Sequence, residues 1–266
     1  MAIIQTGEIF KALRFDGTSA GQGGVLSSDY GVYITGEAVF NAPKRRVNML
    51  QIPGRNGLFA QDDGAFDNIT ITYPAGLIQG TETDFKQAIS NFRNALCSRV
   101  GYHRLEDDYN TDEYRMAVYK EGLEVSPADV KAGEFSITFE CKPQRWLKTG
   151  DSWQTLSQYQ SLSNPTLFDA SPLFEVQGYG SFTIQQGDIT TKIIEISEAS
   201  GVPTNLYIDC ETGWSYYSEP GGYTSASDRV TLPLDLPRFT ANGLTRIQTI
   251  DSTITRLAVK PRWWKI

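Results

Sequence analysis

One histidine, three cysteines and three methionines in 266 residues leave this chain short of the side chains most enzymes rely on. A Ser-His-Asp or Cys-His relay has His103 as its sole candidate base. That residue sits in a strand-like run beside Arg104 and carboxylates, where a surface or hydrogen-bonded structural role is the simpler reading. No serine lies in a Gly-x-Ser-x-Gly elbow. Cys97, Cys141 and Cys210 are odd in number and too far apart for a zinc knuckle, so they read as free thiols. No stretch approaches the roughly 20 apolar residues of a membrane span. The first eight residues lack both a basic segment and an apolar core, so no secretory leader is expected. Positive charge is also scarce: 24 Lys and Arg face 31 Asp and Glu, a net charge of −7. An acidic chain repels phosphate, which disfavours sequence-specific nucleic-acid binding. The compact basic run Lys44-Arg45-Arg46 reads as solvated loop charge rather than as a phosphate site.

What chemistry-bearing residues remain do not assemble into a site. Glu106-Asp107-Asp108 lacks the alternating oxygen ligands and the glycine of a calcium loop, and reads as a solvated turn through Tyr109-Asn110-Thr111. Asp62-Asp63-Gly64 reads as a hairpin turn. Gly21-Gln22-Gly23-Gly24 is followed by neither Lys-Ser/Thr nor a helix, so it makes a poor phosphate cradle. No catalytic residue, metal ligand or cofactor is expected, and the chain reads as a protein that is not an enzyme.

Aromatic residues and glycine, by contrast, are plentiful: 13 Tyr, 13 Phe, 5 Trp and 24 Gly. This is the composition of a folded, β-rich chain. Extended runs are expected at 7–15 and 30–35, with a small, Gly-rich loop at 18–24 between them. Residues 47–52 and 58–60 flank Pro53-Gly54-Arg55-Asn56-Gly57, whose Pro-Gly and Asn-Gly steps favour tight turns, so a long β-hairpin is expected. Strict alternation over 68–73 puts Ile69, Ile71 and Tyr73 on one face. One helix stands out over 84–98. Phe85, Ile89, Phe92 and Leu96 form a single apolar stripe, with Thr81 or Thr83 placed to cap its first turn. Strands are expected to follow at 102–105, 114–120 and 135–141.

Residues 148–164 are polar and rich in Ser and Gln, and read as a linker. Beyond them come short runs at 173–176, 181–185, 190–196, 205–209, 229–234, 245–248 and 253–259, separated by Gly, Asp and Pro turns. That pattern argues for a β-sandwich. Trp214, Tyr216, Tyr217 and Tyr223 read as an aromatic loop with three open roles: stacking on sugar rings, contacting a protein, or forming a half-buried sandwich edge. Two runs, Phe139-Glu140-Cys141-Lys142-Pro143-Gln144-Arg145-Trp146 and Val259-Lys260-Pro261-Arg262-Trp263-Trp264, end alike in Lys-Pro followed by Arg and Trp. Pro cannot donate to a sheet ladder, so each is expected at a strand end, an edge or a bulge.

Several segments, in order, resemble the distal tail proteins (Dit) of siphophages, the hub family of the tail tip or baseplate. In the first half these are Phe15-Asp16-Gly17, Asp29-Tyr30-Gly31-Val32, Ile52-Pro53-Gly54-Arg55-Asn56-Gly57, Leu105-Glu106-Asp107 and the run from Phe139 to Trp146. In the second half they are Asn164-Pro165-Thr166, Pro172-Leu173-Phe174-Glu175-Val176-Gln177-Gly178-Tyr179-Gly180, Ile208-Asp209-Cys210-Glu211-Thr212-Gly213, Arg238-Phe239-Thr240-Ala241-Asn242-Gly243 and the run from Val259 to Trp264.

The resemblance implies a mainly β chain. Its N-terminal part, residues 1–147, is a β-sandwich belt domain with one flanking helix and a long hairpin. Its C-terminal part, residues 165–266, is a galectin-like β-sandwich joined through the 148–164 linker. It further implies a homo-hexameric ring, single or as two stacked rings, at the tail tip of a virion assembled in the host cytoplasm. That ring joins the tail tube protein to a tail fibre or tail-associated protein, with a receptor-binding protein further out, and lets DNA pass. Val47, Leu50, Ile52, Leu58 and Phe59 of the hairpin are then the expected subunit interface. A rival reading is a lectin-like module for host-wall glycans. The galectin sugar site uses a His-Asn-Pro-Arg type of strand, however, and this second half has no histidine, so the fold need not bring the activity.

Overall fold

In the computed structural model, residues 11–17, 23–129, 131–186 and 190–266 are described. Parts of the 7–15 run and the 18–24 loop lie outside them. The chain divides into two compact units, Met1–Arg145 with Ile266, and Trp146–Lys265.

The first unit is built from β1 (Leu13–Phe15), β2 (Val25–Leu26), β3 (Val32–Ile34), β4 (Arg45–Gln51), β5 (Leu58–Phe66), β6 (Ile69–Ile78), α1 (Glu82–Cys97), β7 (His103–Asp107), β8 (Glu113–Val118), β9 (Ser126–Asp129) and β10 (Ala132–Leu147). One sheet runs in the order β2-β1-β7-β8-β10-β6-β3, with β9 along the start of β10. A single bridge from Lys11, just ahead of β1, to Ile34 of β3 brings the β1 side of the sheet round to its far edge. The layers expected of a sandwich are thus one sheet curled back on itself, and closure leaves few open edges to protect. Alternation fills the interior. Ile69, Ile71, Tyr73, Ala75 and Leu77 of β6 face Phe135, Ile137, Phe139 and Cys141 of β10 in one core with Leu13, Phe15 and Leu105.

The helix covers this core as its stripe demands. Phe85, Phe92 and Leu96 are buried, with Ala88, Ile89 and Ala95 packed against the core. Thr81 caps the helix, its hydroxyl accepting from the Asp84 N–H at 3.1 Å. At Gly133 an added Cβ would lie 3.0 Å from the Phe85 ring, so the helix rests closely on β10.

Buried charge ties the strands together. Glu106 and Asp107 are 1 % and 7 % exposed, which corrects the reading of a solvated acidic turn. Glu106 accepts from Arg104. Asp107 accepts from the Tyr73 hydroxyl at 3.0 Å and from the Tyr109 and Asn110 N–H groups at 2.9 and 2.8 Å. Its neighbour Asp108 accepts from the Ala12 N–H at 2.9 Å and pairs with Arg14 at 2.8 Å. A carboxylate with so many donors needs no water, a condition invisible in a linear string.

The second unit contains β11 (Gln154–Thr155), β12 (Tyr159–Ser163), β13 (Leu173–Gly178), β14 (Gly180–Gln186), β15 (Thr190–Ile196), β16 (Leu206–Asp209), β17 (Trp214–Glu219), β18 (Gly222–Ser225), β19 (Val230–Thr231), β20 (Leu244–Thr249) and β21 (Ile254–Lys260). They form two sheets, β11-β21-β13-β16-β17-β18 and β12-β20-β14-β15-β19, the expected sandwich. Phe174, Phe182 and Phe239 meet in its core with Trp263. At the β13 register shift Gly178 has φ +100°, and a Cβ there would fall 2.0 Å from the Thr253 carbonyl oxygen; only glycine fits.

Two boundary readings need correction. Residues 148–164 are not a free linker. Gln154 and Thr155 pair with Val259 and Ala258, Tyr159–Ser163 pairs with β20, and Leu156 joins the core. Half-exposed edge strands tolerate Ser and Gln, so composition alone suggested a loop. The strand expected to stop near Pro143 continues to Leu147, whereas Pro261 does follow the end of β21.

A fragment starting at Trp146 is therefore expected to fold alone and melt cooperatively, as a unit with its own core should. One starting at Pro165 lacks β11 and β12 and should melt at a visibly lower temperature. Circular dichroism melts of the two fragments check this; equal melting temperatures would show that the two strands add nothing.

Candidate assembly surfaces

The expected hairpin is an arm. Strands β4 and β5 pair only with each other among the described residues, forming a two-stranded sheet separate from the barrel. The pairs run Val47–Asp62, Asn48–Gln61, Met49–Ala60, Leu50–Phe59 and Gln51–Leu58. Arg55 N–H donates to the Ile52 carbonyl at 3.1 Å across the tip. The arm is longer than its apolar pattern suggested, because Asp62-Asp63-Gly64 is not a turn but part of β5. The register shifts opposite it, between Arg45 and Val47. Asp63, Gly64 and Ala65 together oppose Arg46, two residues more than the partner strand; Gly64 turns through this bulge at φ +69°, and Asp62 accepts its N–H at 3.0 Å. The basic run at the arm's base is neutralised in place: Arg45 pairs with Asp62, and Arg46 with Asp67 at 2.7 Å.

The five hairpin residues expected at an interface come together here. Val47, Leu50, Ile52, Leu58 and Phe59 are all exposed, joined by Met49, which the sequence reading left out. None belongs to the core of its unit. Six large apolar side chains on an arm two strands wide make a surface that monomers rarely leave open. A concavity of about 300 Å³ lies at the tip, lined by Ile52, Arg55, Asn56, Gly57, Leu58 and Phe59.

The aromatic residues of the second unit are not a loop. Trp214, Tyr216 and Tyr217 belong to β17 and Tyr223 to β18, a hairpin of the six-stranded sheet. Alternation splits the set. Tyr217 points inward, is 3 % exposed and accepts from Arg229, so it is not a contact residue. Trp214, Tyr216 and Tyr223 lie on the outer face, where Tyr207 and Trp153 extend them into a row. Tyr216 stacks on Trp214 at 4.5 Å and on its cross-strand partner Tyr207 at 5.4 Å. Tyr216 is stacked on two neighbours, while Trp214 stacks on one and Tyr223 meets both Trp214 and Tyr216 edge-on, leaving Trp214 39 % and Tyr223 65 % exposed. Exposed Tyr and Trp side by side are residue types enriched at protein contacts.

Beside the row, Arg262 makes a bidentate pair with Asp209 at 2.8 and 3.1 Å. Arg262 holds a φ of +59° and its N–H donates to the Gly150 carbonyl at 2.7 Å. Trp264 stacks on Phe168 at 4.3 Å. Asn164 donates to the Phe168 and Phe239 carbonyls and accepts from the Thr166 N–H. The Pro-Arg-Trp-Trp and Asn-Pro-Thr motifs are thus structural staples of the sandwich.

Residues 27–141 match the family model of the phage tail protein RIFT-related domain. The Dit protein of phage SPP1, described as a paradigm of the hub adsorption apparatus in phages infecting Gram-positive bacteria, is similar across both chains. Its TM-score is 0.65 at 14% identity, covering 94% of this chain and 97% of that one. The chain has the siphophage distal tail protein fold. A chain of the phage P2 baseplate in its activated conformation with Ca has a TM-score of 0.52 at 8% identity, with the same coverage of 94% and 97%. The Sr form of that baseplate gives the same score and identity. No curated protein sequence matches. The Dit-like fold thus spans both units, while the family model falls within the first.

Groups with catalytic potential are absorbed into this Dit-like scaffold. His103 lies 2.9 Å from an Asp16 carboxylate oxygen and 3.0 Å from the Val100 carbonyl, and packs edge-on against Phe15. Burial pushes the Cys141 and Cys210 thiols up to about 12, so neither ionises near neutrality. Among the described residues no group of three or more His, Cys, Asp or Glu is placed to hold a metal. A thiol-reactive dye is expected to titrate one thiol, exposed Cys97, in the native protein and all three after denaturation. Rapid native labelling of Cys141 or Cys210 would mean that their cores open readily.

Proposed function

We propose that this chain is a structural hub of a phage tail tip. Six copies close into a ring, as one ring or two stacked rings, that joins the tail tube to the tail-fibre or tail-associated protein and leaves an opening for DNA. A cyclic ring needs two unlike surfaces on each subunit, one donated and one received. The exposed arm is the observation that carries this reading: it supplies the donated surface, and its apolar side chains have no partner in their own core. The similarity to SPP1 Dit and to a P2 baseplate chain supports the same role. The outer aromatic row of the second unit, with Trp214 and Tyr223 exposed, serves as a docking surface for the next tail-tip protein.

Replacing Asn48–Gln61 by an Asn-Gly turn tests the role of the arm. Val47 and Asp62 are directly opposed, so a two-residue turn closes the strands without strain. The shortened chain should keep its circular dichroism spectrum and melting temperature but remain a monomer at concentrations where the full chain assembles. An armless chain that still assembles would remove the arm from the interface.

A further inference from the structure

We propose that both broad faces of the arm are covered by copies of this chain, so that each arm is clamped between two neighbours instead of lying on one. This rests on the arm being the assembly element. The register divides its side chains into two sets. Val47, Met49 and Gln51 share one face with Leu58, Ala60 and Asp62; Asn48 and Leu50 share the other with Phe59 and Gln61.

A ribbon that lies on a single surface alternates apolar and polar residues, so that one face is buried and the other wet. This arm does not. Met49 and Leu58 are each 55 % exposed on the first face, and Leu50 and Phe59 are 46 % and 52 % exposed on the second. Covering either face alone leaves the large apolar side chains of the other in water. The ribbon also has two strands only, and a lone hairpin is marginally stable in water.

Charge favours a second copy of this chain as the occupant. Lys44, Arg45, Arg46 and Arg55 outnumber Asp62, Asp63 and Asp67, leaving the arm with one net positive charge while the rest of the chain carries eight net negative charges. The Arg45 and Arg46 guanidiniums are matched within the arm, so the surplus sits at its base and at Arg55 on the tip. A near-neutral, slightly basic arm is complementary to the acidic body of another copy, and two such bodies can receive its two faces.

The test is the mass of full-length Met49→Asp and Leu50→Asp variants by light scattering, with Met49→Leu as a control for volume. Each Asp variant alone is expected to raise the concentration needed for assembly at least tenfold, while Met49→Leu assembles like the natural chain. Should either Asp variant lose its native circular dichroism spectrum, Met49→Ser and Leu50→Ser take their place. If one face tolerates the change and the other does not, the clamp is overturned while the arm remains the assembly element. If neither change matters, or the natural chain never assembles, the reading beneath it falls as well.

Discussion

Phe139→Ala is expected to lower the melting transition of the first unit by about ten degrees or more while leaving that of the second in place, and Phe174→Ala to do the reverse. Phe139 is fully buried where three strands converge, with Phe15 at 5.1 Å, Tyr119 at 5.7 Å and Tyr73 at 6.4 Å between ring centroids. Phe174 holds the same place in the sandwich, against Phe182 at 5.2 Å and Phe239 at 6.4 Å. Truncating such a ring costs about 3–5 kcal/mol, because the cavity left behind refills only in part. For units of this size each kcal/mol moves the midpoint by roughly 3–5 °C. Calorimetry on the two full-length variants reads the result. A single transition that shifts equally in both would mean that the units share one cooperative core.

Removing one carboxylate should cost nearly as much. The Glu37 side chain is 2 % exposed and bridges Arg115 at 3.4 Å and Arg145 at 3.3 Å. Arg145 also pairs with Glu113 at 3.2 Å. In Glu37→Ala two guanidiniums are left with one carboxylate in a poorly hydrated place. Breaking a buried pair in this way destabilises by about 3–5 kcal/mol, most of it from the charge left behind. Denaturant unfolding followed by the signal of the first unit should show the midpoint fall. A loss below about 1 kcal/mol would indicate that water reaches the arginines and that the cluster behaves like a surface pair.

The sequence announced what depends on period. The apolar stripe of α1, the alternation of Ile69, Ile71 and Tyr73 and the turn at residues 53–57 each depend on local spacing, and the structure holds them where that spacing puts them. What was misread depends on partners distant in the chain. Asp107 is buried because Tyr73 lies 34 residues away and donates to it. Gln154–Thr155 and Tyr159–Ser163 are strands because the ends of β21 and β20 come back to pair with them. Asp62-Asp63-Gly64 mimics a turn because a bulge and a tight turn both call for a glycine at positive φ. At the candidate interface, the period showed that Leu50 and Phe59 were apolar. It took the pairing register to show that Met49 and Leu58 face the opposite way. The aromatic set needed the sheet as well: adjacent Tyr216 and Tyr217 take opposite sides of β17, one in the outer row and one in the core.

Closure into a ring, as proposed above, is read from mass as a function of concentration. The last subunit to enter makes two contacts where the others made one, so partial rings should be scarce beside monomers and complete rings. Light scattering coupled to chromatography is predicted to show mass moving from 29.6 kDa towards about six times that value, with little in between. A chain that stays at its monomer mass at the highest attainable concentration, and also forms no ring when mixed with a tail tube or tail-associated protein, would rule out ring closure.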